Sequence, residues 1–287
     1  MNVLQGALMG LIQGLGEFLP VSSSGHLLLA RFFLGIEGTT PDAQSAFKVL
    51  DILLHVGTLI PLLIVFRKEW VNMILHPVKN KTLLCLVLAS VPTLVIYLAA
   101  KVLFPDVDGF DVFNNGWFLG ASFLITALFL LICDFVSSRR PASDREVGPF
   151  QAVIMGIFQG AGLLPGVSRS GSTIFGGVLS GVDKKKAASF SFMMSAPAIL
   201  GSLIMEGKDA LEAGDFSFIQ PVPAITGILV AAVCGYFALR FMLRIISSVP
   251  LSVFALYVAL IGIVFLALQL SGSSLLPVFA ERYPAAF

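Results

Sequence analysis

The chain has 287 residues, of which 57% are hydrophobic and only 12% are charged, and its formal net charge is +1. Soluble domains carry about 25% charged residues, so this sequence has too little polar surface to cover a soluble globule. These values exclude a soluble enzyme, a disordered chain and a disulfide-stapled domain, and the near-neutral charge provides no basic surface for nucleic acid. The composition predicts an all-α integral membrane protein.

Six apolar segments are long enough to cross a bilayer, which takes about 20 residues of helix. In chain order they lie at 46–66, 82–104, 116–136, 187–205, 222–243 and 251–271. We expect a Gly-Ser break at 271–274 to end the last of them. The cysteines have neither CxxC nor metal-ligand spacing and are interpreted as small core residues of these segments: Cys85, Cys133 and Cys234.

Two further apolar stretches, 1–36 and 147–182, are each interrupted by a Pro/Gly/Ser cluster. The interruptions are Pro20–His26 and Pro165–Gly171. The segments on either side of each break are too short to span, and irregular backbone at membrane depth must be buried in protein or line a wet cavity. Both stretches are therefore predicted to be re-entrant helix–loop–helix hairpins. The alternative interpretation is two ordinary spans with a kink.

The distribution of Lys and Arg favours the re-entrant interpretation. With the amino terminus outside and six full spans, twelve of the 18 basic residues lie in cytoplasmic loops and five lie on the outer side. The remaining one, Arg169, lies inside the second break. This excess satisfies the positive-inside rule, whereas full-span hairpins would move Lys184–Lys186 to the outer side. We therefore expect both termini outside.

The sequence contains an internal repeat, because residues 10–17 align with residues 156–163 at an offset of 146. Each half is predicted to be one hairpin followed by three spans. Since three is odd, the second half starts on the opposite face, which is an inverted-topology repeat of the kind found in transporters. Within a single membrane domain, 1–287, repeat one covers 1–136 with hairpin 1–36, and repeat two covers 147–271 with hairpin 147–182.

Small residues recur every four positions in both hairpins, and such stripes allow helices to approach closely. We expect them to let the two hairpins pack against each other: Gly6, Gly10 and Gly14 in the first, Gly156 and Gly160 in the second.

Ionisable side chains at membrane depth are costly, so the few present are candidates for function. Glu17 precedes the first break, and His26 ends it. Arg169 is central to the second break. Each has a structural alternative: a Glu17–Arg169 pair, a capping or packing histidine, or an arginine that reaches the interface. Ser22, Ser23 and Ser24 have one too, since serine caps helices well.

Asp51 and His55 lie four residues apart on the first full span, near its predicted outer edge. Solvated polar residues are the favoured interpretation of this pair.

Together, the two breaks suit a phosphate group. Arginine offers a planar fork for bidentate phosphate binding, and Gly-rich turns that enter a helix direct N–H groups at an anion. A carboxylate repels phosphate, so Glu17 makes sense as a general base, a metal ligand or a group that positions a histidine or serine.

Residues 13–26, Gln-Gly-Leu-Gly-Glu-Phe-Leu-Pro-Val-Ser-Ser-Ser-Gly-His, resemble the (Glu/Gln)xxxGlu and PVSSxGH signature of the BacA-type undecaprenyl-diphosphate phosphatases. Residues 165–173 resemble the PGxSRSGxT motif of the same family. Residues 51–58 and 188–197 are also similar to family segments. The resemblance covers nearly the whole chain.

The resemblance implies a phosphatase of the bacterial inner membrane, which converts the C55 isoprenyl diphosphate to the monophosphate for peptidoglycan synthesis and confers bacitracin resistance. It implies an active site that opens to the outer face. It also implies catalytic roles for Glu17, Ser23, His26 and Arg169, and substrate-binding roles for Gln13, Ser22, Ser168, Ser170 and Thr173. A divalent cation, Mg²⁺ or Ca²⁺, is implied with Glu17 as its ligand, although Gln13 leaves only one carboxylate in that pair.

Several points stay open at this stage. Two mechanisms are open. In the first, Ser23 attacks the terminal phosphorus and His26 or Glu17 takes its proton. In the second, water attacks the phosphorus directly and Ser23 only binds the phosphate. The alternative function is a transporter or flippase of a lipid-linked phosphate. The expected partners are the lipid diphosphate and the membrane, with no nucleic acid, and a homodimer is an open alternative to a monomer.

Overall fold

The computed structural model describes residues 1–36, 41–103, 119–139 and 145–270. These ranges form eleven α-helices and one short 3-10 helix at Asp215–Phe218, and they contain no strand. The α-helices are α1 (Val3–Phe18), α2 (Ser23–Phe33), α3 (Pro41–Val65), α4 (Arg67–Leu75), α5 (Lys81–Leu103), α6 (Leu119–Arg139), α7 (Pro149–Ala161), α8 (Arg169–Leu179), α9 (Lys184–Glu212), α10 (Pro221–Ile245) and α11 (Ser252–Leu270).

Five helices are long and apolar enough to cross a membrane, namely α3 from Ser45 onward, α5, α6, α9 and α10. They confirm five of the predicted spans, and α9 is longer than predicted. The sixth prediction coincides with α11, of which Ser252–Leu268 forms a shorter apolar helix. The chain is therefore an all-α, multi-pass membrane protein. The predicted span ends at 104 and 116–118 and the break at 271–274 lie outside the described residues.

Both predicted breaks interrupt the helices. Between α1 and α2 the backbone of Ser22 takes φ 70°, and between α7 and α8 that of Gly166 takes φ 87°, values that a continuing helix cannot have. The flanking helices have 16, 11, 13 and 11 residues. Pro20 lies three residues before α2, and Pro165 lies four residues before α8. Each proline lacks the backbone N–H donor that a continuing helix would need.

Each new helix begins with a serine cap. Ser22 Oγ accepts the N–H of Gly25 at 3.4 Å, and Ser168 Oγ accepts the N–H of Gly171 at 3.1 Å. The structural alternative therefore holds for Ser22, and Ser168 has the same role, because both hydroxyls satisfy otherwise unpaired N–H groups of α2 and α8.

The prediction that the glycine stripes pack the two hairpins on each other is wrong. The glycines of α1 lie against α10 and those of α7 lie against α5. A Cβ added to Gly10 would collide with the backbone of Gly227, and one added to Gly156 would collide with that of Ala89. A small-residue stripe indicates close approach without identifying the partner helix, and here each partner is a span of the other half.

The two hairpins meet instead at their breaks. Ser170 Oγ donates to the carbonyl of Leu19 at 3.4 Å, and a Cβ on Gly25 would lie 3.1 Å from the Cα of Gly166. Fully buried aromatic side chains surround this junction, including Phe18, Phe123 and Phe192. The rings of Phe18 and Phe192 contact edge to face with centroids 5.8 Å apart. This packing holds Glu17, the neighbour of Phe18, in a fixed place.

Candidate active site

Glu17 is the centre of a buried polar cluster at the end of α1. Its side chain is 2% exposed. One carboxylate oxygen, Oε1, pairs with Nη2 of Arg169. The other, Oε2, accepts hydrogen bonds from Gln13 Nε2 and Ser23 Oγ, each at 3.1 Å. The structure thus brings four of the predicted residues together, with contributions from both breaks.

Arg169 is the first residue of α8 and offers a second binding position beside Glu17. While Nη2 pairs with Glu17, Nη1 is buried and has no hydrogen-bond partner in the part of the chain that the structure describes. A buried N–H of a charged group without a partner is unfavourable, so this position favours an incoming anion. The structural alternative of a Glu17–Arg169 pair is therefore present, and it leaves one arm of the guanidinium fork available.

Ser23 is placed for chemistry by its position as the first residue of α2. Its hydroxyl donates to the Glu17 carboxylate, which is the arrangement of a nucleophile and its base. Ser22 cannot take this place, because its own hydroxyl caps the helix and lies 3.4 Å from that of Ser24.

The other residues predicted in the second break are Ser168, Ser170 and Thr173. They make no hydrogen bond to Glu17, and their contacts lie within the break or with neighbouring helices. The N–H of Ser168 donates to Thr126 Oγ1 at 2.9 Å, and Ser168 Oγ lies 3.3 Å from Ser170 Oγ. Thr173 is fully buried, lies 2.9 Å from the carbonyl of Arg169 and contacts Ser191 Oγ at 2.5 Å. These contacts fix the turn that orients Arg169.

His26 does not hydrogen-bond to Glu17 or Ser23. Its Nδ1 lies 2.8 Å from the carbonyl oxygen of Ser22, and its Nε2 lies 2.9 Å from the hydroxyl of Tyr257. A carbonyl only accepts, so Nδ1 carries the hydrogen and the neutral ring accepts the Tyr257 hydroxyl at Nε2. The ring also stacks on Tyr257, with centroids 5.6 Å apart and an angle of 15°.

Tyr257 was not identifiable from the sequence. It lies on α11, in an uncharged apolar run that is 231 positions from His26 and carries no motif. A lone tyrosine in such a segment is typical of a span near an interface.

The expectation that Asp51 and His55 are solvated polar residues holds only in part, because their side chains are 35% and 32% exposed and each also contacts an ionisable partner. Asp51 pairs with Arg31, whose side chain is 11% exposed. His55 Nε2 lies 3.7 Å from Glu17 Oε2. The reason is that α3 packs against both α1 and α10, which turns this face of α3 toward Glu17. The spacing of four residues, the same as between Gln13 and Glu17, was the available signal.

The residues present do not fit a resident divalent cation. Glu17 is the one carboxylate in the cluster, and its oxygens already receive Arg169, Gln13 and Ser23. The described ranges contain no group of three or more His, Cys, Asp or Glu side chains that could hold a metal ion. Calcium takes six to eight oxygen ligands, and an adjacent guanidinium opposes any cation.

Comparison with known proteins agrees with the resemblance noted in the sequence. The family model described as bacitracin resistance protein BacA matches residues 6–264. An undecaprenyl-diphosphatase of Carboxydothermus hydrogenoformans is 38% identical over 273 residues, covering 95% of this chain and 99% of its own length. Undecaprenyl-diphosphatase 4 of Bacillus thuringiensis is 37% identical over 269 residues, covering 94% and 98% of the two chains. The undecaprenyl-diphosphatase of Halothermothrix orenii is 36% identical and covers 93% and 98%.

Proposed function

This chain belongs to the BacA family, and from that premise we propose that it hydrolyses undecaprenyl diphosphate to undecaprenyl phosphate and inorganic phosphate. The product is the lipid carrier that peptidoglycan synthesis uses again. Removal of the diphosphate, which bacitracin sequesters, accounts for the resistance that gives the family its description.

One observation carries the proposal at the level of the site. A serine hydroxyl donates to a buried carboxylate that is itself paired with an arginine. One nitrogen of this arginine has no hydrogen-bond partner among the described residues. A binding site for a phosphate needs the arginine only. The serine–carboxylate pair adds a nucleophile and a base, which a transporter or flippase does not require.

In the mechanism we propose, Arg169 Nη1 binds the terminal phosphoryl group, and Ser23 Oγ attacks its phosphorus. The Ser23 proton passes to Glu17 Oε2, the bridging P–O bond breaks, and undecaprenyl phosphate leaves with the bonding electrons. The Glu17 proton passes to the leaving undecaprenyl phosphate, which restores the carboxylate. Water then attacks the phosphoserine and gives a proton to Glu17. The Ser23 Oγ–P bond breaks, and Ser23 Oγ takes this proton from Glu17 as inorganic phosphate leaves. Direct attack by water, with Glu17 as base and Ser23 as a phosphate ligand, is the alternative.

Glu17, rather than His26, is the base that the geometry favours. Ser23 Oγ lies 3.1 Å from the Glu17 carboxylate, whereas both nitrogens of His26 are engaged by Ser22 and Tyr257. We assign to His26 the fixing of the first break, because its bond to the Ser22 carbonyl holds the residue before the nucleophile.

The substrate-binding roles of Gln13, Ser22, Ser168, Ser170 and Thr173 stay predictions, as does the homodimer. The role of Mg²⁺ or Ca²⁺ also stays a prediction, and we derive no step through the ion.

We further propose the finer architecture: an inverted-topology repeat of 1–136 and 147–271, with hairpins 1–36 and 147–182 re-entrant, both termini outside and the active site open to the outer face. Reciprocal packing supports it. The first hairpin's α1 packs on α10, the second hairpin's α7 packs on α5, and the last spans of the two halves, α6 and α11, pack together. Each contact thus has a counterpart with the halves exchanged.

The architecture is tested by labelling. In a variant without native cysteines, Val78→Cys and Lys185→Cys should react with an impermeant thiol reagent from the same, cytoplasmic side. Two spans and one re-entrant hairpin separate these exposed positions. Labelling from opposite sides would mean that the second hairpin crosses the membrane.

The activity is tested by phosphate release from a C55 or C15 isoprenyl diphosphate with detergent-purified protein. We expect release from the native chain and its near loss in Glu17→Gln. Lipid binding without release, under all divalent ion conditions, would favour the transporter. Trapping a phosphorylated Ser23 separates the two mechanisms.

A further inference from the structure

The helix α4 joins two spans at a membrane surface. It follows α3 after Phe66, and residues 76–80 lead from it into α5. Since α3 and α5 are both long and apolar enough to cross a membrane, α4 lies where the chain leaves the bilayer and returns to it. None of its residues belongs to the buried cluster around Glu17.

One side of α4 is fixed to the hydrophobic core. Met73 is 3% exposed and belongs to the core, and Trp70 packs against the same group of residues. The Nε1 of Trp70 donates to the carbonyl oxygen of Leu62 in α3 at 3.2 Å. Positions three apart on a helix lie on one face, so the opposite face of α4 is directed away from the protein.

This opposite face forms a shallow groove with a cationic end and an apolar end. The groove is lined by Arg67, Lys68, Val71, Asn72 and Leu75. The two cations lie in the first turn of α4, whereas Val71 and Leu75 follow them along the helix and are 53% and 66% exposed. Exposed apolar side chains of a helix at a membrane surface lie at the boundary between headgroups and acyl chains. The groove therefore offers one position to an anion and another to hydrocarbon.

The charges around the groove are unbalanced. Residues 66–81 contain four basic residues, at 67, 68, 79 and 81, and a single acid, Glu69. Arg67 Nη1 donates to the carbonyl oxygen of Ile64 at 3.3 Å. Within the described ranges, no carboxylate forms an ion pair with Arg67 or Lys68, and both side chains are exposed. Both cations are therefore available to an anion from outside the chain.

We propose that this groove binds an anionic phospholipid of the surrounding bilayer, an inference that does not depend on the proposed phosphatase function. The lipid phosphate pairs with Arg67 and Lys68, and an acyl chain lies along Val71 and Leu75. A phospholipid supplies an anion and a hydrocarbon chain in one molecule, and it is the molecule that surrounds a helix at a membrane surface. Each basic side chain beside a span strengthens binding to anionic lipid by about five-fold.

The test uses Trp70, the neighbour of the groove residue Val71, as a fluorescent probe. The chain has two tryptophans, so Trp117→Phe leaves Trp70 as the single one. This parent chain is reconstituted in vesicles of phosphatidylcholine and phosphatidylglycerol in equal amounts, with bromine on the acyl chains of one lipid or of the other. Bromine quenches a tryptophan that it contacts. We expect quenching to report about a 5- to 25-fold preference for phosphatidylglycerol, which should fall as salt screens the charges.

Two matched variants of the parent chain locate the preference. Arg67→Gln combined with Lys68→Gln should reduce it to about one. Arg240→Gln combined with Arg244→Gln removes the same charge from exposed positions of α10 and should leave it unchanged. Because Arg67 also bonds to the end of α3, Lys68→Gln alone decides the matter if the first double variant gives too little folded protein. We expect it to lower the preference by about five-fold.

Three results would overturn the proposal. Equal quenching by the two brominated lipids in the parent chain would leave the groove to a protein partner or to a role in topology alone. A preference that persists in a folded Arg67 and Lys68 variant would mean that these cations do not bind the lipid. An equal loss in the α10 variant would mean that the preference reflects the overall charge of the protein and not this groove.

Discussion

The two hairpins share a frame but differ in their chemistry. In the first, Gln13 donates to Glu17 one turn later. In the second, the equivalent Gln159 donates to Thr93 of the neighbouring α5 at 3.1 Å, and the position equivalent to Glu17 is Leu163. The break that lacks the carboxylate supplies Arg169. The repeat therefore provides two similar turns, and the site arises because one turn carries an acid and a hydroxyl while the other carries a guanidinium.

The comparison shows that residues repeated in both hairpins stabilise the fold, whereas the residues proposed to react occur in one hairpin only. Both halves contain a serine that caps a helix at the junction, Ser22 in the first and Ser168 in the second. Both also contain a glycine face that holds the hairpin against a span of the other half. The reacting groups occur once each. Substitutions that remove the asymmetry should therefore abolish activity without disturbing the junction.

The largest effect is expected for Glu17→Gln, which makes the first hairpin resemble the second one, where no carboxylate is present. Glutamine keeps the volume and the hydrogen bonds but cannot accept the serine proton, so kcat should fall by about 10²- to 10⁴-fold. Phosphate release and the yield of folded protein are both measured. The control is Glu146→Gln, which neutralises an 84% exposed carboxylate. Near-native turnover in Glu17→Gln would reduce Glu17 to a structural partner.

Arg169→Lys tests the contribution of the second hairpin. Lysine keeps the charge but lacks the fork that pairs with Glu17 and a phosphate together. One charge-assisted hydrogen bond contributes about 1.5–3 kcal/mol, so kcat/KM should fall roughly 10- to 100-fold. Arg240→Lys, on the exposed side of α10, serves as the control.

Arg169→Ala should be worse than Arg169→Lys, because it also leaves the buried Glu17 without a counter-charge, a loss that costs about 3–5 kcal/mol. Folded yield and kcat/KM are compared for both variants. A well-folded Arg169→Lys with native kcat/KM would contradict the proposal that the guanidinium binds Glu17 and the phosphoryl group together.

A smaller effect is expected for Tyr257→Phe, which removes the hydroxyl that donates to His26. One neutral hydrogen bond contributes about 0.5–1.5 kcal/mol, so kcat should fall by about 2- to 10-fold through a less firmly held first break. Tyr236→Phe provides the matched control on α10. A native rate in Tyr257→Phe would show that the bond to the Ser22 carbonyl and the stacking hold the His26 ring without the hydroxyl.

The smallest effect is expected for Gln13→Glu, which adds an acid to the hairpin that already has one. The family signature allows either residue at this position, so activity should change little. Phosphate release is measured with and without Mg²⁺ or Ca²⁺. We expect the rate to depend more strongly on the ion than in the native chain, because two carboxylates bind a divalent cation better than one.

The sequence was sufficient for the parts of the structure that depend on local chemistry. Helix breaks follow from proline and serine, and spans follow from apolar length. The cost of an unpaired charge in the membrane made a Glu17–Arg169 pair one of the alternatives, and the structure contains it. Tyr257 was beyond the sequence, because α11 is apolar nearly all round and periodicity does not indicate which face turns inward. For His55, the spacing from Asp51 was visible in the sequence, but the contact with Glu17 depends on how α3 packs against α1 and α10. The same reason explains why the glycine stripes were assigned to the wrong partners.

The ion pair between Glu17 and Arg169 joins residues that are 152 positions apart in synthesis. While the ribosome makes the first half, Glu17 enters the membrane without its guanidinium, and the nascent chain holds a carboxylate that it cannot yet neutralise internally. Only after the second break has been inserted can Arg169 pair with Glu17, and only then is the environment of Ser23 complete. Maturation of the site is therefore a late event in biogenesis, and a truncated chain that stops before α8 would carry a recognisable motif but no assembled catalyst.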